Sequence, residues 1–252
     1  MPDVNLHGRT ALITGASRGL GKSMALALGA AGARLALVAR SAPDLEAVAD
    51  LARARGADVE TYRADVTSEQ QVKQLENDVI RRFGTVNILI NNAGINVRKH
   101  VVDFTLEEWN GVIATNLTSA FLLSRSFVPH MKDQGYGRII NMASIMSHVS
   151  LPGRAAYSAT KAGLLGFTRA LALELAGENI CVVAISPGPF ATEMNTALMN
   201  DPEKNAQFIA SIPVGRWGKV EDIGQLALFL CSDHAAFITG TDILIDGGWC
   251  AR

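Results

Sequence analysis

TALITGASRGLGKSMALAL, residues 10–28, decides the fold. A short apolar run, 10–14, reads as a strand. Glycines follow at 15, 19 and 21, and a helical pattern begins near Ser17 to Leu20. A strand that feeds a helix through glycines turns unpaired amides and the positive end of the helix dipole toward an anion, and glycine lets the backbone approach it closely. The spacing, G-x-x-x-G-x-G, departs from the G-x-G-x-x-G of other dinucleotide folds. Three glycines in a turn are also compatible with a plain loop. Their position, strand before and helix after, favours a pyrophosphate cradle built from Gly15, Gly19 and Gly21.

Working outward, apolar runs at 34–40, 58–64, 86–91, 138–143, 180–186 and 242–246 read as further strands, and most lack the alternation of a half-exposed sheet. Helical stretches such as 68–83 and 159–176 separate them. This β-α-β-α rhythm predicts an α/β fold, a doubly wound parallel sheet with helices on both faces. With no repeat or linker in sight, the chain reads as one domain over 1–252. The rhythm breaks only at about 190–221, where a longer segment is expected to act as a lid. Its residues Met194, Leu198, Met199, Phe208 and Ile212 recur at roughly helical spacing and suggest an apolar inner face.

Composition excludes several classes of function. Lys plus Arg (23) nearly balances Asp plus Glu (24), without a basic cluster, so nucleic acid is not an expected partner. No apolar run reaches the roughly 18 residues of a membrane span, and the start has no secretory pattern. Three dispersed cysteines with no C-x-x-C spacing predict neither disulfides nor a metal site. A cytoplasmic protein with a small-molecule substrate is expected.

The second strand ends in LVARSAPD, 37–44. An acid at this strand end would bond the ribose 2′-hydroxyl of NAD, whereas arginine accommodates a 2′-phosphate. Ala39 stands where the acid would be, Arg40 follows, and Arg18 lies in the glycine loop. Two guanidiniums favour NADP(H) over NAD(H). The alternative is a solvated Arg40 with Asp44 reaching in instead.

In AAYSATKAGL, 155–164, Tyr157 and Lys161 are one helical turn apart on a common face. An ammonium nearby favours a phenolate, so the pair is a candidate general acid/base. Ser144, at the end of the fifth strand run, sits at the carboxyl edge of the sheet, where its hydroxyl can polarise a carbonyl oxygen. A tyrosine and lysine at this spacing are also common as a surface pair.

TGASRGLG, NNAG (91–94), ATNL around Asn116, Ser144, YSATK and SPG (186–188) occur in the order and spacing of the short-chain dehydrogenase/reductase family, which the chain resembles over nearly its whole length. The resemblance implies a Rossmann fold with a seven-stranded sheet in the order 3-2-1-4-5-6-7, and a homotetramer or dimer. It implies proton transfer by Tyr157, with Lys161 lowering the tyrosine pKa and binding the nicotinamide ribose. Ser144 would orient the substrate oxygen, and Asn116 would hold a water relaying protons to Lys161. For the cofactor it implies Asp65 and Val66 beside the adenine, and Asn91, Asn92, Ala93 and Gly94 toward the adenosine ribose. Ser17, Arg18 and Leu20 belong to the loop, Pro187 and Gly188 lie near the nicotinamide, and Thr192 lies at its carboxamide. Asp65 is also placed to be a helix N-terminal acid, and Thr192 to be a helix cap.

Segments after NNAG, together with RWG (216–218) and the closing DGGW (246–249), resemble the branch of gluconate 5-dehydrogenases and 2-dehydro-3-deoxygluconate dehydrogenases. Arg98 and Arg154, on loops near the carboxyl edge, can each fork onto a sugar-acid carboxylate, and His148 can bond a hydroxyl. The alternative for each is a solvated loop residue. A 3-oxoacyl-thioester reductase shares the same catalytic groups and stays open, as does a nucleotide-binding regulator without catalysis, against which the full catalytic set argues.

Overall fold

The computed structural model describes residues 4–251, the side chains at 194 and 197 excepted. Its seven strands are β1 (Thr10–Thr14), β2 (Arg34–Ala39), β3 (Val59–Arg63), β4 (Ile88–Asn91), β5 (Gly137–Met142), β6 (Ile180–Pro187) and β7 (Asp242–Ile245). All pair in parallel, in the order β3-β2-β1-β4-β5-β6-β7. Each strand agrees with its sequence run to within two residues.

Successive side chains of a strand point to opposite faces, and the continuous apolar runs supply both. Ala11 and Ile13 of β1, Leu35 and Leu37 of β2 and Ile88 and Ile90 of β4 pack with α1 (Gly19–Ala30), α2 (Ala42–Arg53) and a later helix near residues 223–230. Leu12, Ala36, Val38 and Leu89, the intervening positions, pack on the other face against α3 (Glu69–Phe83) and helices further along the chain. The edge strand β7 is only half-buried.

The second face is completed by α4 (Leu106–Ile113), α5 (Ser119–Phe127) and α6 (Ala155–Leu175), with Thr105 and Glu108 forming a reciprocal cap at the start of α4. Between α4 and α5 the helix runs unbroken through one π-turn, Ala114–Thr118. The helix expected over 159–176 begins four residues earlier, at Ala155. Alanines 155, 156 and 159 favour helix but carry no start signal, and Arg154 supplies no side-chain cap. Tyr157 and Lys161 therefore both lie within α6.

The lid segment contains α7 (Thr196–Met199) and α8 (Pro202–Ala210), and α9 (Val220–Leu230) makes the crossover to β7. Its base is tied by a bridge between Phe190 and Gly218. Of the residues expected on its inner face, Ile212 is buried, while Leu198, Met199 and Phe208 are half-buried. The side chain of Met194 lies outside the described residues. Phe208 stacks on Trp217 at 4.6 Å and leans on Trp249 at 5.4 Å. Among the described residues no helix is long and apolar enough to cross a membrane.

Beneath the site, a buried polar chain ties two strands to α6. Asn91 Nδ2 donates to Asn141 Oδ1 at 2.8 Å, and Asn141 Nδ2 donates to Thr168 Oγ1 at 2.9 Å. Asn91, expected beside the ribose, is thus turned into the interior, where it is 6% exposed. Asn141→Ala strands two buried polar groups at once, and a loss of about 3 kcal/mol is expected, read as a lower urea midpoint with an unchanged slope.

Candidate active site

The crossovers leave every strand's carboxyl end on one edge, and a cleft of about 890 Å³ opens there. Gly15, Ser17, Arg18, Gly19 and Leu20 line it from the glycine loop, Arg40 from the end of β2, and Asp65 and Val66 from beyond β3. Asn92, Ala93 and Gly94 follow β4, Pro187, Gly188 and Thr192 follow β6, and Ser144, Tyr157 and Lys161 complete the wall.

Thr14 organises the cradle. Its hydroxyl accepts from the amides of Asn92 and Ala93 at 3.0 and 3.1 Å, while Asn92 Nδ2 donates to the carbonyls of Thr14 and Gly15. The two turns at the ends of β1 and β4 are thereby one unit. Gly15 has φ +62°, and a Cβ there would lie 2.9 Å from Asn92 Nδ2. Gly21, expected to touch the cofactor, does not line the cleft. A Cβ on it would lie 2.3 Å from the Gly15 carbonyl, so its glycine serves the packing of α1 on the loop. Helix α1 has no acid in its first turn and no side-chain cap, which leaves the positive end of its dipole open toward the cleft.

Lys161 is buried at the cleft wall, 4% exposed, and its ammonium donates to the Met142 carbonyl at the end of β5. Burial pushes it down from its ordinary 10.5 to about 8. Its Nζ lies 5.5 Å from the Tyr157 ring centre. Burial raises the Tyr157 phenol, and a hydrogen bond with Ser144 and then the Arg154 guanidinium draw it back down. Asn116, 2% exposed, lies in the π-turn. Its carboxamide accepts from the Ile95 amide at 2.8 Å and donates to the Ile95 carbonyl and to Thr160 Oγ1. This bolts the turn after β4 to α6. A Cβ on Gly94 would lie 3.4 Å from Asn116 Oδ1 and 3.7 Å from Lys161 Nζ, so these groups converge.

Asp65 spends one carboxylate oxygen on the amide and hydroxyl of Thr67, at 3.0 and 2.7 Å, and these bonds, opposed by burial and aided by Arg40, hold its pKa low. Thr192 precedes a short 3-10 turn but makes no side-chain cap. Arg18 pairs with Glu193 at 3.2 Å, both well exposed, while Arg40 is exposed and has no salt bridge among the described residues.

None of the three substrate candidates is among the residues that line the cleft, and they differ in environment. Arg154 is half-buried beside Tyr157, and burial first, then the neighbouring Arg98 guanidinium, lower its pKa. Neither arginine has a carboxylate partner among the described residues. His148 does not line the cleft; its Nε2 is bonded to Asp242 Oδ2 at 2.5 Å. Thr14, Thr160 and the Ile95 main chain were missed by the sequence reading, because nothing in their residue type marks them before the turns are brought together.

A family model described as enoyl-(acyl carrier protein) reductase matches residues 15–250. The 3-oxoacyl-(acyl-carrier-protein) reductase of Escherichia coli (strain K12) is 38% identical over 245 residues, covering 97% of this chain and 98% of that one. The chain belongs to the short-chain dehydrogenase/reductase family. A solved structure named as a gluconate dehydrogenase from Agrobacterium tumefaciens matches with a TM-score of 0.95 at 38% identity, covering 98% of each chain. Another, named as a 2-deoxy-D-gluconate 3-dehydrogenase from the same organism and holding NADP, matches with a TM-score of 0.91 at 35% identity over the full length of both. As a short-chain dehydrogenase/reductase the protein is an oxidoreductase of alcohol and ketone groups that uses a nicotinamide dinucleotide. The cleft suits such a group: glycines stand where side chains would obstruct it, and a helix N-terminus without an acid faces it.

Because the folded chain releases the Lys161 proton near 8 and the unfolded chain near 10.5, the unfolded state binds more protons between these values. Stability contributed by this site therefore rises with pH through that window, and below it the buried ammonium costs about 3 kcal/mol. Cofactor-free Lys161→Met should lose its stability relative to the parent by about that amount between pH 7 and 10.5, measured by urea unfolding at each pH.

Proposed function

We propose that the protein transfers a hydride between NADP(H) and a secondary alcohol or ketone carrying a carboxylate, a sugar acid such as a keto-gluconate. The observation that carries this reading is the pair Arg98 and Arg154, two neighbouring guanidiniums beside Tyr157 with no acidic partner among the described residues. Two cations held together without an anion repel one another, and a planar carboxylate relieves that repulsion while accepting paired hydrogen bonds. The likeness to structures named as gluconate dehydrogenases supports the same class. Arg40 and Arg18 at the ribose end, with Ala39 in place of an acid, support NADP(H) over NAD(H). Glu193 would have to yield Arg18 to a 2′-phosphate.

The residues have these roles in the proposal. Gly15, Gly19 and the amides opening α1 hold the pyrophosphate, Asp65 and Val66 flank the adenine, and Pro187, Gly188 and Thr192 flank the nicotinamide. When bound, the nicotinamide supplies or accepts the hydride at the substrate carbon. Ser144 and Tyr157 hold the substrate oxygen between their hydroxyls, and Tyr157 donates or takes its proton. Lys161, fixed by the Met142 carbonyl, supplies positive charge beneath Tyr157 and a donor for the ribose. Arg154 and Arg98 orient the carboxylate. The segment 190–221 closes over the site as a lid within one domain. Assembly as a homotetramer or dimer is supported by Phe121 and Leu173, exposed on the outer faces of α5 and α6, and a cytoplasmic location belongs to the same reading.

One observation favours a second reading, a 3-oxoacyl-thioester reductase. Val101, Val102, Leu106, Val149 and Leu151 are exposed on the segments that follow Arg98 and precede Arg154, an apolar rim that suits an acyl chain. The relative from Escherichia coli carries that name.

A panel of sugar acids, neutral polyols and 3-oxo thioesters, assayed with both nicotinamides, separates the two. Arg154→Ala should raise KM for a keto-gluconate at least about tenfold, the scale of a lost charged hydrogen bond, and leave a neutral polyol unaffected. Equal effects on both overturn the carboxylate assignment. Tyr157→Phe should lower turnover by about 10²–10⁴-fold while NADPH affinity, read by fluorescence titration, stays within about twofold.

A further inference from the structure

The turn that carries Ser144 is held at both ends. At its start the Ala143 amide donates to the Ile185 carbonyl of β6 at 2.8 Å. Ser144 then caps a single 3-10 turn, Ile145–Ser147, and His148 closes it, its amide donating to Ile145 O at 2.9 Å. The imidazole of His148 leaves the cleft and meets Asp242 Oδ2 at 2.5 Å. Asp242 is the first residue of β7, in register with Ala184, so it shares a face with Ser186 two residues further along β6. Ser186 Oγ lies 2.8 and 2.9 Å from the two Asp242 oxygens and donates to that carboxylate. Ser186 is fully buried, and the Asp242 side chain is 13% exposed. A carboxylate only accepts, so Nε2 of His148 carries the proton in this bond.

The bonds make a closed circuit: Ala143 to Ile185, along β6 to Ser186, across to Asp242, out to His148 and back through the turn to Ser144. Ser186 directly precedes Pro187 and Gly188, which line the nicotinamide side of the cleft in the proposed function. We propose that Asp242 and His148 are positioning residues that pin the far end of the Ser144 turn to the strand leading into Pro187 and Gly188. They set the distance between the serine hydroxyl and the nicotinamide side without touching substrate or cofactor. Reactions of this kind are sensitive to such distances, since a misplacement of about 1 Å costs on the order of 100-fold. The proposal rests on the reading of Ser144 as the group that holds the substrate oxygen.

The test is a set of purified full-length variants, Ser144→Ala, His148→Ala, His148→Gln, Asp242→Ala and the double variant Ser144→Ala with His148→Ala. They are assayed with NADPH and a keto-gluconate, or the panel member turned over fastest, alongside melting temperature and NADPH titration. His148→Ala and Asp242→Ala should each lower kcat on the order of tenfold with NADPH affinity unchanged. His148→Gln, which keeps a donor of similar reach, should restore most of the loss. On the Ser144→Ala background, His148→Ala should change kcat no further, because a residue acting through Ser144 has nothing left to position. An undiminished kcat in His148→Ala, or an equal loss with and without Ser144, overturns the pin. Full turnover in Ser144→Ala instead overturns the reading of Ser144 beneath it.

Discussion

Parallel strands satisfy each other's backbone groups only if the chain crosses back over the sheet between them, and everything functional in this protein depends on that obligation. Each crossover delivers the next strand's carboxyl end to the same edge. Residues as far apart in sequence as Thr14, Asn92, Ser144 and Ser186 thus come to one edge of the sheet. Thr14 exploits this directly, since one hydroxyl at the end of β1 receives two amides from the turn after β4. At the opposite end of β5, Arg138 is 4% exposed and donates to the carbonyls of Leu230 and Ser232 at and just beyond the end of α9.

Around Tyr157 the neighbouring charges are positive. The Lys161 ammonium is held by a neutral carbonyl, not by a carboxylate, so its charge is not cancelled locally. Arg154 lies within electrostatic reach of Tyr157 and of Arg98, and the N-terminus of α1 carries no acid in its first turn. Aspartates do line the cleft, but Asp65 is committed to Thr67 and Asp44 lies in the first turn of α2. A tyrosine enclosed in this way gains proton affinity from burial and loses some of it to Ser144 and Arg154. An anion bound at Arg154 would weaken the second of these effects and raise the tyrosine's proton affinity.

Much of this was legible in the sequence. Continuous aliphatic runs announced strands covered on both faces, and glycines 15 and 19 were readable because turn geometry and close approach demand that residue type. What escaped notice came from side chains whose partners are distant. His148 looked available for substrate until Asp242, 94 residues away, was placed beside it. Asn91 and Asn92 are indistinguishable as letters, yet strand alternation sends the first to Asn141 inside the core and leaves the second at the cleft. Gly21 read as a ligand contact because spacing shows that a side chain is forbidden, not which atom forbids it. The start of α6 was misplaced for a simpler reason: a run of alanines has propensity without punctuation.

The π-turn at Ala114–Thr118 sets a limit on how this family member can vary in length. One extra residue is accommodated there, so α4 and α5 differ in phase from a continuous α-helix by about 100°. With that offset Asn116 faces Ile95 and Thr160 while Leu122, Leu123 and Phe127 still face the sheet. Removing one residue from this turn would restore regular winding and bring one set into place at the expense of the other. Point substitutions can drift through the outer face of this helix, but its residue count between Thr105 and Phe127 is locked by two surfaces that must be satisfied together.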